Sequence, residues 1–324
     1  MSRPRLLITR RVFPEVVAAL SEVYEVEVNH EDAVWSAEEV RARAASCDAL
    51  YVVATDRVDA ALIEACPRLR IVATGSVGYN QIDVATCTAR GIAVTNTPDV
   101  LTEATADMAW ALLMATARRV TESERWLRAG QWGRWAWDQF LGADVHGSTL
   151  GIVGMGRIGS AIARRGRGFD MRIQYTNRSA AANEAELGAQ RVELDTLLST
   201  SDHVLLVLPY SPQTHHLIGA TQLARMKPTA TLINIARGGI VDDAALAQAL
   251  KAGQIAAAGL DVFEGEPVVH PDLLTVPNVV LTPHIGSATR SSRLGMAMLA
   301  AQNLIAHAAG APLITPVPGS VGGR

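Results

Sequence analysis

From residue 5 onward, short runs of Val, Ile and Leu alternate with longer segments whose apolar residues recur at helical spacing. Leu6-Leu7-Ile8, the amphipathic stretch 12–21 and the run 26–28 set this rhythm, which is that of βαβ units feeding a parallel sheet. Further strands are predicted at 49–53, 70–73 and 92–94 and helices at 37–45, 59–65 and 81–89, so the first hundred residues read as one small α/β unit. The Ala-rich segment Asp99 to Arg119 contains neither Gly nor Pro and predicts a helix of about five turns that leaves this unit for a second one. Gly130 to Asp138 has no helical or strand period and reads as a loop. Trp126, Trp132, Trp135 and Trp137, four of the six tryptophans, cluster there, which suits an interface anchor, a substrate-pocket wall or plain packing at a sheet edge. A second α/β series begins at Thr149, with strands predicted at 149–153, 171–176, 203–208, 230–235, 256–260 and 279–282, the six of a dinucleotide-binding sheet. One more long helix is predicted at 290–309, and the Pro- and Gly-rich tail from Pro316 is expected to fray.

Composition narrows the functional classes. The 324 residues are 49% apolar and 19% charged, enough to bury a sizeable core in one large or two medium domains. With 29 basic against 32 acidic residues the formal net charge is -3, so no positive excess exists for a phosphate backbone and nucleic acid is not expected as a partner. Lys227 and Lys251 are the only lysines, and the arginines form no contiguous basic block. Three apolar residues follow the basic start before charge returns at Arg10, too few for a signal-peptide core. No apolar run approaches the roughly 18 to 20 residues that cross a bilayer, so a cytoplasmic protein without membrane association is expected. Cys47, Cys66 and Cys87 are odd in number and lack metal-ligand spacing, so they are read as reduced packing residues with neither a disulfide nor a metal site.

The residues that carry chemistry lie at turns. Gly154, Gly156 and Gly159 form a Gly-x-Gly-x-x-Gly pattern directly after an apolar strand and before the helical run 160–165. That context predicts a dinucleotide pyrophosphate on a helix N-terminus. Where NAD-selective proteins carry an acidic residue for the ribose hydroxyls, this chain has Asn177, Arg178 and Ser179, a neutral amide, a planar cation and a hydroxyl suited to a 2′-phosphate. The expected cofactor is therefore NADPH, with NADH accepted more weakly. Arg237, between an apolar strand and two glycines, can grip a carboxylate or keto oxygen through paired N–H donors. His284 stands between a strand end and a Gly-Ser turn, and a carboxylate from Glu266 would orient it and favour its protonated form, as a general acid requires. Asp261 and Glu264 compete with Glu266 for that role, and spacing alone does not choose among them. In the first unit, the stretch Thr74 to Asn80 exposes backbone N–H groups that could form an anion nest.

Taken together, the segments 96–100, 154–159, 234–238, 259–267 and 282–287 resemble, in order, the signatures of the D-isomer-specific 2-hydroxyacid dehydrogenases over essentially the whole chain. Gly75 to Asn80, Asp144 to His146, the Asn177-Arg178 pair, Thr214 to Leu217 and His284 to Ala288 look most like the glyoxylate/hydroxypyruvate reductases, including those that reduce 2-ketogluconate. The resemblance implies two Rossmann-like α/β domains with parallel sheets: a discontinuous substrate domain of residues 1–98 and 289–324, and an inserted nucleotide domain of 99–288. It implies that Arg237 binds substrate, Glu266 partners the histidine, His284 is the acid-base residue, and the Val77 and Gly78 backbone receives the substrate carboxylate. Beyond the glycine loop with Met155, Arg157 and Ile158, it implies cofactor contacts at Thr105, Pro209, Thr214, Ile235, Ala236, Asp261 and Gly286. It further implies reduction of small 2-keto acids and a homodimer built on the helix from Asp99 and the tryptophan loop, with Trp135 or Trp137 sent towards the active site of the partner subunit. Some relatives in this family are nucleotide-sensing corepressors, so a binding protein is the competing class.

Overall fold

A computed structural model describes residues 3–323. Strands β1 (Arg5–Ile8), β2 (Glu25–Val28), β3 (Ala49–Val52), β4 (Ile71–Thr74) and β5 (Ala93–Thr95) pair in parallel in the order β2-β1-β3-β4-β5. Strands β3, β4 and β5 are buried along their whole length, as a sheet covered on both faces demands, whereas the edge strand β2 alternates Glu with Val. The crossovers carry α1 (Pro14–Ser21), α2 (Ala37–Ala44), α3 (Ala60–Ala65) and α4 (Val84–Ala89). Their starts are written in the sequence: Pro14 opens α1, Ser36 and Glu39 form a capping box, and Asp59 and Asp83 accept backbone N–H groups of the first turn.

The chain continues through α5 (Thr102–Ala117) and α6 (Val120–Arg128) into a second parallel sheet. Its strands are β6 (Thr149–Val153), β7 (Arg172–Thr176), β8 (Ala189–Arg191), β9 (His203–Leu206), β10 (Thr231–Asn234), β11 (Ala257–Leu260) and β12 (Val279–Leu281). They lie in the order β12-β11-β10-β9-β6-β7-β8, and the direction of winding reverses between β6 and β9, the switch point where doubly wound sheets hold ligands. Helices α7 (Arg157–Gly166), α8 (Glu184–Leu187), α9 (Leu194–Thr200), α10 (Ala220–Leu223) and α11 (Asp243–Lys251) connect them. Finally α12 (Arg290–Ala308) packs on α1 and β4 of the first sheet. The chain thus divides into two compact units, one of Met1–Leu101 with Thr289–Arg324 and one of Thr102–Ala288.

Three features depart from the sequence reading. The second sheet has seven strands, not six, because Ala189–Arg191 pairs with β7 as an edge strand; its letters, Ala-Gln-Arg, carry no apolar signal. The helix expected over 99–119 covers Thr102–Ala117 and ends where Arg119 turns left-handed at φ 54°, and a separate helix, α6, follows with no buried residue. The tail from Pro316 does not fray among the described residues. Val317 is fully buried and donates its N–H to Val94 O at 3.0 Å, and the Ser320 hydroxyl accepts the Val94 N–H at 2.7 Å, so the tail closes the β5 edge. The three cysteines are buried and unpaired. Among the described residues no helix is long and apolar enough to cross a membrane.

Candidate active site

In the second unit the glycine loop joins β6 to α7. Gly154 adopts φ 105°, a left-handed conformation that side chains disfavour, and a Cβ there would stand 2.6 Å from Val207 O. At Gly159 a Cβ would meet Gly154 O at 2.4 Å, so only glycine lets α7 pack this closely on the turn, whereas at Gly156 the same position is open space. The loop thus leaves room at the one glycine where a pyrophosphate must approach, and first-turn N–H groups of an α-helix have no partner within the helix. These residues fit a dinucleotide. Met155 lies buried beneath the loop, while Arg157 and the partly buried Ile158 open the helix.

At the end of β7, Asn177 is committed to the loop itself: its Oδ1 accepts the Met155 N–H at 2.7 Å and its Nδ2 donates to Met155 O at 3.2 Å. The amide therefore braces the glycine turn, a role that linear spacing does not reveal. Arg178 and Ser179 are exposed beside it. Arg191, which the sequence reading missed because it lies on the unrecognised β8, donates from Nε and Nη2 to Asn177 O at 3.2 and 2.9 Å and from Nη2 to Arg178 O at 3.0 Å.

Around the other strand ends, Thr214 closes the turn after β9, donating from Oγ1 to Pro209 O at 3.1 Å and accepting the Ser211 N–H at 2.7 Å. Asn234 staples the turn after β10: its Oδ1 accepts the Ala236 N–H at 3.0 Å and its Nδ2 donates to Arg237 O at 3.3 Å. Ile235 and Ala236 are buried there. The half-buried Arg237 donates from Nη1 to Ala236 O at 2.7 Å. Burial lowers its pKa and Glu266 opposes that, leaving a guanidinium that stays charged at neutral pH.

The three candidate carboxylates separate by partner. Asp261, buried at the end of β11, accepts from Thr282 Oγ1 at 2.6 Å and from the N–H groups of Ile285 and Gly286, both at 2.8 Å. It builds the turn that presents His284, and Thr105 packs beside Gly286 on the same turn. Glu264 accepts from His216 at 2.8 Å. Glu266 faces His284, with its Oε2 2.7 Å from Nδ1, while its Oε1 accepts the Phe263 N–H at 2.9 Å. Burial pushes the Glu266 pKa up, but the His284 bond and charge, the Phe263 N–H and Arg237 outweigh it, so the carboxyl titrates below the usual range. An ionised Glu266 can only accept, which makes Nδ1 the donor and leaves Nε2 as the nitrogen available for chemistry. His284 holds a left-handed φ of 53°, a strained conformation fixed by its N–H bonds to Asp261 O and Thr282 O at 2.9 and 3.0 Å.

In the first unit, the loop after β4 is shaped by Ser76, whose hydroxyl meets Thr74 Oγ1 at 2.8 Å and donates to Gly78 O at 2.6 Å. Asn96 Nδ2 donates to Val77 O at 2.7 Å, and Asn96 O in turn accepts from Thr315 Oγ1 at 2.6 Å. The fully buried Asn303 of α12 completes this chain, donating to Thr315 Oγ1 at 2.8 Å and accepting the Ile314 and Thr315 N–H groups at 2.9 and 3.0 Å. The N–H groups of Val77 and Gly78 donate to no acceptor among the described residues. Trp132, Trp135 and Trp137 are 58, 63 and 87% exposed, so they do not pack at a sheet edge within one chain. As for metals, His215, His216 and Glu264 bring possible ligand atoms within 4.8 Å of one another, but His216 is already bonded to Glu264 and His215 Nδ1 lies 3.3 Å from the Tyr210 hydroxyl.

Comparison with known proteins agrees with this arrangement. Residues 110–286 match the family model described as D-isomer specific 2-hydroxyacid dehydrogenase, NAD binding domain. The chain is 51% identical over 309 residues to a glyoxylate reductase of Thermococcus onnurineus, covering 94% of this chain and 92% of that one. It is also 51% identical over 317 residues to a glyoxylate reductase of Aeropyrum pernix, covering 96 and 94%. Among solved structures, an NADPH-dependent glyoxylate/hydroxypyruvate reductase from Sinorhizobium meliloti, in complex with NADP and malonate, superposes with TM-score 0.88 at 38% identity, covering 100% of this chain and 99% of that one. The chain therefore carries an NAD(P)-binding domain between two parts of a substrate domain and belongs to the D-isomer specific 2-hydroxyacid dehydrogenase family.

Proposed function

We propose that the protein is an NADPH-dependent reductase of small 2-keto acids, converting glyoxylate to glycolate and hydroxypyruvate to D-glycerate. The observation that carries this reading is the Glu266–His284 pair at 2.7 Å, at strand ends of the same sheet that bears the glycine loop and Arg237. The glyoxylate reductases at 51% identity support the substrate class.

Each residue has a task in this reading. The glycine loop and the first turn of α7 would hold the pyrophosphate, with Thr105, Pro209, Thr214, Ile235, Ala236, Asp261 and Gly286 forming or bracing the rest of the cofactor surface. When bound, NADPH supplies the hydride that adds to the keto carbon. Negative charge then grows on the keto oxygen, and His284 donates a proton to it from Nε2, since Nδ1 is held by Glu266. Arg237 steadies the 2-keto acid through its guanidinium donors. The free N–H groups of Val77 and Gly78 are assigned to the substrate carboxylate, as an anion nest. Arg178 and Ser179, exposed where an acidic residue would select NADH, underlie the NADPH preference. The exposed tryptophan loop is assigned to a homodimer interface, with Trp135 facing a substrate.

The test is a matrix of NADPH and NADH against glyoxylate, hydroxypyruvate, 2-ketogluconate and pyruvate, followed by nicotinamide absorbance. Fast NADPH oxidation with the two small keto acids is expected. Preferential turnover of 2-ketogluconate would rename the substrate, and a blank matrix with tight NADPH binding would favour a binding protein.

A further inference from the structure

We propose that Arg191 is a second selector of the phosphorylated dinucleotide, acting with Arg178 and Ser179 on the 2′-phosphate; the inference rests on the NADPH reading above. Arg191 closes β8, and the register sets it beside Tyr175 of β7, just before the turn that carries residues 177–179. Its guanidinium reaches under that turn and binds two successive carbonyls, Asn177 O at 3.2 and 2.9 Å and Arg178 O at 3.0 Å.

This geometry does two things. It fixes the backbone from which Arg178 and Ser179 project, in addition to the bond between Asn177 Oδ1 and the Met155 N–H. It also brings a second permanent cation to the same turn, with its Nη1 donors bonded to nothing among the described residues. Neither Arg178 nor Arg191 forms an ion pair among the described residues, and the nearby carboxylate of Glu184 is bonded to the Tyr175 hydroxyl instead. An incoming 2′-phosphate would bring its charge to a turn that carries two arginines with no carboxylate ion-paired to either among the described residues. The 2′-hydroxyl of NADH brings no charge and gains nothing from it.

The experiment is calorimetric titration of the full-length protein with 2′,5′-ADP and with 5′-ADP, for the native chain, R191A and R178A, alongside KM for NADPH and NADH. R191A is expected to weaken 2′,5′-ADP about tenfold or more while changing 5′-ADP by less than about twofold, with the same split in KM. Equal weakening of both ligands would make Arg191 a turn brace only and overturn the proposal. Discrimination lost in R178A but intact in R191A would overturn it while leaving the NADPH reading in place. A native chain that binds 2′,5′-ADP no better than 5′-ADP would remove the NADPH reading itself, and this proposal with it. Should R191A not fold, R191Q, which keeps a donor for a carbonyl without the charge, takes its place under the same expectations.

Discussion

Asp261, Glu264 and Glu266 lie within six positions of one another, and what distinguishes them is which hydrogen-bond donors the fold brings to each. Asp261 is consumed by Thr282 and two backbone N–H groups, Glu264 by His216, and Glu266 by His284. Spacing could not separate them because the turn after β12 approaches from elsewhere in the chain. His284→Ala is expected to lower kcat by about 10²- to 10⁴-fold while the NADPH dissociation constant stays within about twofold, since the imidazole acts on charge that develops in the transition state. Normal turnover in that variant would end the mechanism. Glu266 gives a pH prediction of defined sign. Its folded pKa lies below the ordinary glutamate value of 4.5, so the stability that its ionised form contributes is fully present above 4.5 and is lost as pH falls through the lowered folded value. Glu266→Gln is therefore expected to unfold at a lower temperature than the native chain at pH 6, with the gap closing in acid below about pH 4. A gap that persists unchanged into acid would mean that the carboxylate charge is not what stabilises the turn.

At the scale of elements, the parallel strands and most helices were legible because buried strands must be apolar and helix starts are marked by Ser36, Asp59 and Asp83. Two of the elements that escaped carry little apolar signal in their letters. Strand β8 has three residues and one neighbour, and the tail after Pro316 looks disordered by composition although Val317 is buried and Ser320 is tied to β5. The residue just before the tail has a functional corollary, because Asn303 of α12, Thr315 and Asn96, which follows β5, join in a chain of hydrogen bonds that ends at Val77 on the loop assigned to the substrate carboxylate. Removing one such hydrogen bond is worth about 1 kcal/mol, or roughly fivefold in an equilibrium. Asn96→Ala is thus expected to raise KM for glyoxylate about fivefold with kcat nearly unchanged, because proton donation from His284 does not pass through this loop. Equal losses in kcat and kcat/KM would show instead that the loop acts in the transition state.

For the molecule as a whole, one surface is unlike the rest. Helix α6 has no buried residue, yet it exposes Val120 and Leu127 at 50 and 53%, and the loop after it exposes Trp132, Trp135, Trp137 and Leu141 at 58 to 87%. A chain that is 49% apolar has ample interior for such residues, so their gathering on one helix and loop calls for a partner. The sequence marked the cluster but left packing, pocket and interface open, and the exposures show that the three loop tryptophans are not buried in their own chain, where Trp135 meets Trp137 edge to face. In the homodimer proposed above, a second copy of the chain would cover this surface, with the exposed Trp and Leu side chains as its anchors. Sedimentation equilibrium of the native protein should then give the mass of two 34.4-kDa chains. Joint replacement of Leu127, Trp135 and Trp137 by Ser should shift that equilibrium towards a single chain at micromolar concentration. These side chains are solvent-exposed in one chain, so circular dichroism should report a fold that is otherwise intact. A native protein that sediments as a single chain would strip the loop of this role and leave its tryptophans to be tested against the substrate alone.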